Sequence, residues 1–496
     1  MRKHQSRADS PNADRSPEDK GWHQQLSGLF FVNVTTALSG VMGLWLYSRL
    51  MPSHEFGRYV LGQALQMMAQ WFLFGWAIYG ALRYASRYEM ENRLQALVTT
   101  GLIVIAAISI VFFGVVEFGG NRLPERYSEY ESLITGLTLA CISRSTALFL
   151  LEIHRGLLSY SRYTLLESTQ AVLTPIFGAL WCIHSGGSAT SAFWGIASAN
   201  VLIVLMDVLW ILPRLNPRHC KMPVIAELWR FGSPISSAIF LNQCLGNLDR
   251  FILTTFLGEA AVGIYGASVM LAERPLSIIF NWIGSASASI GFDALNRKQT
   301  DQARRALERA AGSIAFFAWP LAFGLLATSN VLPSVIVGGE ISDAVQKLLP
   351  IVVLASLFKN YHDHHFAQFF QFIDRTRILL IFRVSIIFIS LLMNVLLIPR
   401  LGIWGAPLSS LIAIGIAITL QLPILIRCFP IHPPWQDMIK CLVACLAMWM
   451  VVISLPEQRT LGGLAFMVVS GMATYAVACL IANPAEIRSR IFGYGV

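Results

Sequence analysis

Residues 247–266 read NLDRFILTTFLGEAAVGIYG. The first half is an apolar helical pattern that carries two adjacent opposite charges, Asp249 and Arg250. Gly258 breaks the pattern, and a second apolar run resumes after Val262 with Gly263 and Tyr265 at its start. Apolar runs of about 20 residues have the length needed to cross a hydrocarbon core about 30 Å thick. A charge at that depth costs roughly 2.5–3.5 kcal/mol on the insertion scale, and residues bearing such a cost face a wet cavity or another charge. Asp249 and Arg250 therefore mark a pathway by default, and the rest of the chain is read around them.

The 496 residues are 55% hydrophobic and only 13% charged, whereas soluble domains carry about 25% charged residues. That is too little charge to cover a water-facing surface, so the chain reads as a polytopic membrane protein. Lipid satisfies no backbone groups, so the spans must be helices or a closed barrel. Runs near 20 residues, rather than alternating segments of about ten, select helices. Residues 1–26 hold five basic residues among Ser, Asp, Asn and Pro with no apolar core. They read as a disordered cytoplasmic tail rather than a signal peptide. The eight cysteines form no CxxC pair and read as reduced and structural.

Fourteen apolar spans are expected, at 27–49, 58–80, 95–117, 132–152, 163–183, 190–212, 232–256, 262–292, 311–337, 348–372, 378–398, 403–426, 438–455 and 461–482. The loops test that count. With the N-terminus inside, 25 of the 37 Lys and Arg fall on tails and loops of the inner side and seven on outer loops. A miscounted span would mix the two groups, so the split supports both termini in the cytoplasm. It also explains the net charge of +9 without a nucleic-acid partner. The five basic residues that remain inside spans are Arg144, Arg250, Arg274, Lys359 and Arg383.

A weak internal repeat lies at an offset of 206: Ser48–Gly62 aligns with Thr254–Ser268, so that Gly57 meets Gly263 and Tyr59 meets Tyr265. The same offset carries the start of span one to the start of span seven. An even number of helices per unit preserves orientation, which predicts two parallel six-helix lobes related by an axis along the membrane normal. The expected division is a tail at 1–26, an N-terminal lobe at 27–212, an interlobe linker at 213–231, a C-terminal lobe at 232–427, and two further helices with a short tail at 428–496.

No phosphate-binding loop, metalloprotease motif, nucleophile elbow or dinucleotide fingerprint is present, and no soluble segment is long enough to fold as a catalytic domain. An enzyme is not expected, and neither cofactor nor resident metal is implied. The candidate functional residues are the polar ones inside spans. Span seven has Asn247, Asp249 and Arg250; helix neighbours point about 100° apart, so Asp249 and Arg250 do not simply pair. Span eight has Glu273, Arg274 and Pro275, and the proline is expected to kink the helix beside the arginine. Spans four and six add Arg144 and Asp207. Span ten carries Lys359, His362, Asp363 and His365. Lys359 and Asp363 are spaced to pair, and the histidines suit a wet patch or proton relay better than a shared metal. An interhelical salt bridge is the plainer reading of each charged group.

DRFILTTFLGEAAVGIYGAS (249–268) resembles the segment around span seven of the polysaccharide exporters, the O-antigen or lipid-linked oligosaccharide flippases of the multidrug/oligosaccharidyl-lipid/polysaccharide exporter superfamily. LYSRLMPSHEFGRYVLGQAL (46–65) resembles their turn between spans one and two, and FIDRTR (372–377) their short basic turn after span ten. The resemblance implies an all-α membrane fold of two bundles around a central cavity. It places Asp249, Arg250 and Arg274 on the lumen, and Arg83 and Arg87 at the cytoplasmic mouth. The implied location is the bacterial cytoplasmic membrane. The implied partners are membrane lipid, a lipid-linked anionic glycan, a glycan polymerase or export machinery, and a coupling ion, H+ or Na+. The expected activity is flipping of that glycan by alternating access. A drug/cation antiporter of the same superfamily would need an acidic lumen, against which the basic residues in the spans weigh. A non-transporting scaffold of a glycan-synthesis complex is the other alternative.

Overall fold

The computed structural model describes residues 17–120, 130–216, 218, 220–373, 376–428 and 432–483. Most of the expected N-terminal tail, Asp374 and Arg375 of the basic turn, and the tail after 483 lie outside the described residues. The chain order is α1 (Pro17–Leu50), α2 (Ser53–Leu73), α3 (Gly75–Met90), α4 (Leu94–Gly120), α5 (Glu131–Gly156), α6 (Tyr160–Ser185), α7 (Ala189–Ile211), α8 (Met222–Gly246) and α9 (Leu248–Leu257). Then follow α10 (Glu259–Asn296), α11 (Thr300–Ala327), α12 (Leu332–Ile336), α13 (Ser342–Tyr361), a π-helical turn (His362–Phe366), α14 (Ala367–Phe372), α15 (Thr376–Leu401), α16 (Gly405–Cys428), α17 (Trp435–Ser454) and α18 (Leu461–Ala482).

Three expected spans are broken rods: α2–α3 at Phe74, α8–α9 at Asn247, and α13–α14 through the π turn. Counting each as one, and setting aside the five-residue α12, the described residues form fourteen rods, as the apolar runs predict. Nine segments among the described residues are apolar and long enough to cross a membrane, one of them, Ile381–Arg427, holding both α15 and α16. The rods outside that set are α1, α2–α3, α6 and α8–α9, and they carry more polar residues. The helices also outrun the apolar runs. α1 starts at Pro17, where a first-turn proline loses no hydrogen bond, and α8 starts at Met222 rather than 232. Apolar pattern reports contact with lipid, whereas intrahelical hydrogen bonding continues past the hydrocarbon boundary. The predicted stop at Gly258 is observed, with φ +81° and ψ 179°, a region essentially reserved for glycine. The next helix restarts at Glu259. α10 then runs unbroken through Pro275 to Asn296.

The chain forms two compact units, one of residues 1–40, 66–181 and 190–241, the other of 41–65, 182–189 and 242–496. In the first, Ala77, Ala81, Ala85, Leu97, Phe149, Ile153 and Leu228 share a core built from α3, α4, α5 and α8. Small residues let the backbones approach where lipid offers no hydrophobic drive. Gly156 sits against the Leu82 carbonyl and Gly232 against that of Trp76, each too close for a Cβ. In the second unit the two repeated segments touch reciprocally. A side chain on Gly57 would strike the Glu259 carbonyl, and one on Gly263 would come within 3.1 Å of the Ser53 carbonyl; Ser53 and Glu259 are themselves one repeat apart. Arg58 ties this crossing together, donating to Glu259 at 2.6 Å and to Glu55 at 2.8 Å. Glu55 in turn accepts the Ala189 amide at 2.6 Å.

Candidate functional site

The ionisable candidates divide between the two units, and each unit's geometry stands by itself. In the first, Arg144 on α5 donates to both oxygens of Glu167 on α6, at 2.8 and 3.2 Å. Asp207 on α7 is 1% exposed. One of its oxygens lies 2.9 Å from His154 Nε2 and the other accepts Arg162 Nε at 2.7 Å. Its lone pairs are spent inside the bundle, which is the geometry of a brace. Arg87, near the end of α3, donates to Glu227 on α8 at 2.6 Å, and the Tyr88 hydroxyl joins the same oxygen at 3.0 Å. Arg83, one turn earlier, is exposed and lies 5.9 Å from the centre of the Phe231 ring.

In the second unit the break between α8 and α9 sets the geometry. Asn247 lies between α8 and α9, and its side-chain oxygen accepts Arg250 at 2.6 Å. Asp249 accepts the Arg250 backbone amide at 2.9 Å and the Tyr265 hydroxyl at 2.5 Å. Asp249 and Arg250 thus point to different partners, as their helical spacing requires. On α10, Glu273 accepts Lys359 of α13 at 2.7 Å. Arg274 is exposed; its carbonyl accepts the Ser277 hydroxyl at 3.0 Å, and its guanidinium has no hydrogen bond or ion pair among the described residues.

The expected Lys359–Asp363 pair does not form. The π turn begins at His362 and widens the helix between them, so residues four apart no longer stack. Asp363 instead lies 3.2 Å from His362 Nδ1 and 3.6 Å from Arg383. His362 is buried, its other ring nitrogen 3.1 Å from the Gln421 amide. His365 is also buried, packed edge-on against Phe369 at 5.3 Å. The two histidines face different neighbours. Among the described residues no cluster of three His, Cys, Asp or Glu is placed to hold a metal ion.

The partners Glu167, His154, Arg162 and Gln421 are not among the sequence candidates. Glu167 had a signal: it is an acid inside the apolar span 163–183, matching a base inside span four. The other three had none, because only folding reveals the partner.

The polysaccharide biosynthesis protein family model matches residues 46–346. Over 425 residues the chain is 23% identical to the probable flippase AglR of Haloferax volcanii, covering 81% of this chain and 82% of that protein. Its fold is similar to that of the lipid II flippase MurJ in an inward closed conformation, with TM-score 0.68, 15% identity, and coverage of 92% of this chain and 98% of that one. It is also similar to an inward-facing multidrug resistance MATE family transporter of the MOP superfamily, with TM-score 0.60, 16% identity, and coverage of 79% and 95%. The match covers more than half of the chain and takes in both repeat segments, so the chain belongs to the polysaccharide biosynthesis protein family.

Proposed function

We propose that this protein flips a lipid-linked oligosaccharide or polysaccharide intermediate across the cytoplasmic membrane by alternating access, with both termini in the cytoplasm. The observation that carries this reading is the charge balance of the span cations. Arg144, Lys359 and Arg383 each have a carboxylate within 4 Å, whereas the Arg250 guanidinium has only an amide oxygen and that of Arg274 neither a hydrogen bond nor a carboxylate among the described residues. Two guanidiniums in α9 and α10 are therefore left to meet an anion. A planar guanidinium takes two phosphate oxygens at once, which suits a sugar-pyrophosphate headgroup. A flippase among the relatives, and the fold shared with a lipid II flippase, support a lipid-linked substrate.

The antiporter reading needs a carboxylate free to hold a cation. Glu167, Asp207, Glu273 and Asp363 are engaged by bases and Asp249 by Tyr265, which speaks against it. The test is the leaflet occupied by the lipid-linked glycan in cells carrying Arg250→Ala or Arg274→Ala. A charge-assisted hydrogen bond is worth roughly 1.5–3 kcal/mol, so each variant should deliver roughly tenfold to a hundredfold less glycan to the outer leaflet while inserting normally. Undiminished delivery by the double variant would remove the reading and favour a scaffold.

A further inference from the structure

The second unit holds a cavity of about 420 Å³ between the C-terminal half of α10 and residues 302–317 of α11. Its walls change character along its length. At one end stand Arg305 and Arg309, one turn apart on α11, with Gln302 beside them. At the other end stand Trp282 and Phe317, packed edge-to-face with ring centres 5.6 Å apart. No carboxylate lines it. The acids nearby are already held: Asp301 and Glu308 by Arg304, at 3.1 and 3.8 Å, and Asp293 by Arg297 at 3.1 Å. Arg305 and Arg309 are exposed and have neither hydrogen bond nor ion pair among the described residues. Trp282 is 63% exposed and Phe317 41%, so the aromatic end is open as well.

We propose that this groove is a binding site for one anionic phospholipid of the surrounding bilayer. Arg305 and Arg309 take the phosphate, and one acyl chain lies along α10 and α11 to Trp282 and Phe317. The eight residues from Arg309 to Phe317 rise about 12 Å at 1.5 Å per residue. That is most of the roughly 15 Å depth of one leaflet of a 30 Å hydrocarbon core. A free anion would have no use for the apolar end, and a zwitterionic lipid would bring its own ammonium beside the phosphate into a site whose lining holds two guanidiniums and no carboxylate. The groove stops within one leaflet, so it does not serve a headgroup that must cross. The α10–α11 connection is one of the basic loops assigned to the cytoplasmic side, where anionic lipid attracts basic residues. This inference needs the membrane setting and the cytoplasmic placement of that loop, and it stands apart from the flipping reaction.

The test is lipid titration of the full-length protein in neutral detergent, read by native mass spectrometry and by thermal unfolding. The probes are phosphatidylglycerol, phosphatidylcholine, and glycerol phosphate as the chainless headgroup. Phosphatidylglycerol should bind saturably and raise the melting temperature, while the other two should not. In Arg305→Gln/Arg309→Gln its affinity should fall about twenty-fivefold, from roughly fivefold per basic contact at a charged membrane surface, with the lipid-free melting temperature unchanged. Arg297→Gln/Lys298→Gln removes the same charge outside the cavity and should retain binding. Trp282→Ala should weaken phosphatidylglycerol binding although it alters no charge. Equal loss in both charge variants, equal stabilisation by glycerol phosphate, or unaltered binding in Arg305→Gln/Arg309→Gln would overturn the proposal.

Discussion

At the scale of single residues, Asp207 and Arg274 look alike in the sequence, each an ionisable group inside an apolar run. Folding separates them. Asp207 is sealed between His154 and Arg162, 53 and 45 residues away, and Arg274 is exposed with no carboxylate against its guanidinium among the described residues. Removing one member of a buried ionic cluster costs about 3–5 kcal/mol because the remaining charge is stranded. Asp207→Ala should therefore lower the melting temperature and the membrane yield together. Arg274→Ala should leave both near wild type and cut glycan delivery instead. Fluorescence-detected size-exclusion chromatography after heating, run beside the leaflet assay, checks the contrast. A stable but transport-dead Asp207→Ala would give Asp207 a place on the path rather than a bracing one. The sequence exposes the presence of such charges because each is anomalous in its apolar neighbourhood. It hides their partners, because pairing across dozens of residues is a property of the packed bundle.

At the scale of elements, span ten shows where periodicity misleads. A 3.6-residue helix puts Lys359 beneath Asp363, but the π turn at His362–Phe366 interrupts that register and frees each for another helix. Lys359 then bridges α13 to α10 through Glu273, while Gln368 of α14 donates to the Gly284 carbonyl of α10 at 2.7 Å. Two ties, one on either side of the π turn, hold α13–α14 to α10. Exposed ion pairs are worth about 0–1 kcal/mol, and this one is partly shielded, so its value lies more in register than in stability. Glu273→Lys and Lys359→Glu should each impair glycan delivery several-fold by setting like charges face to face. Glu273→Lys/Lys359→Glu should regain most of it, because the bridge re-forms in reverse. A double variant no better than the worse single would show that one of these charges acts alone. Nothing in HDHHF announces a π turn, since no residue preference distinguishes it from an α-helix. Gly258 is the opposite case: a glycine between two apolar runs beside polar Glu259 is legible as a stop, and its positive φ is the physical reason.

At the scale of the whole molecule, the repeat and the charge distribution carry the most information, and both were legible. The offset of 206 pairs Gly57 with Gly263, and those glycines meet at one crossing, each facing the other segment's backbone. Close backbone approach demands glycine on both sides, which is why so short a motif stood out. The division of Lys and Arg works through a different force. Basic loops resist transfer across the membrane, so 25 residues on one set of loops against seven on the other constrain every helix at once. Moving any span would place a cluster such as Arg297, Lys298, Arg304, Arg305 and Arg309 on the wrong side. The expected outcome is definite at three places. Alkaline phosphatase joined after Glu457, in the α17–α18 connection, should be active because it leaves the cytoplasm. The same enzyme joined after Lys298 should be inactive, and a fluorescent protein after Val496 should glow. Activity at Lys298 would invert the orientation, and with it the leaflet in which Arg305 and Arg309 could meet anionic lipid. Both proposals are thus exposed to one measurement: the flippase needs its basic loops where glycan precursors are built, and the lipid groove needs them where the membrane surface is most negative.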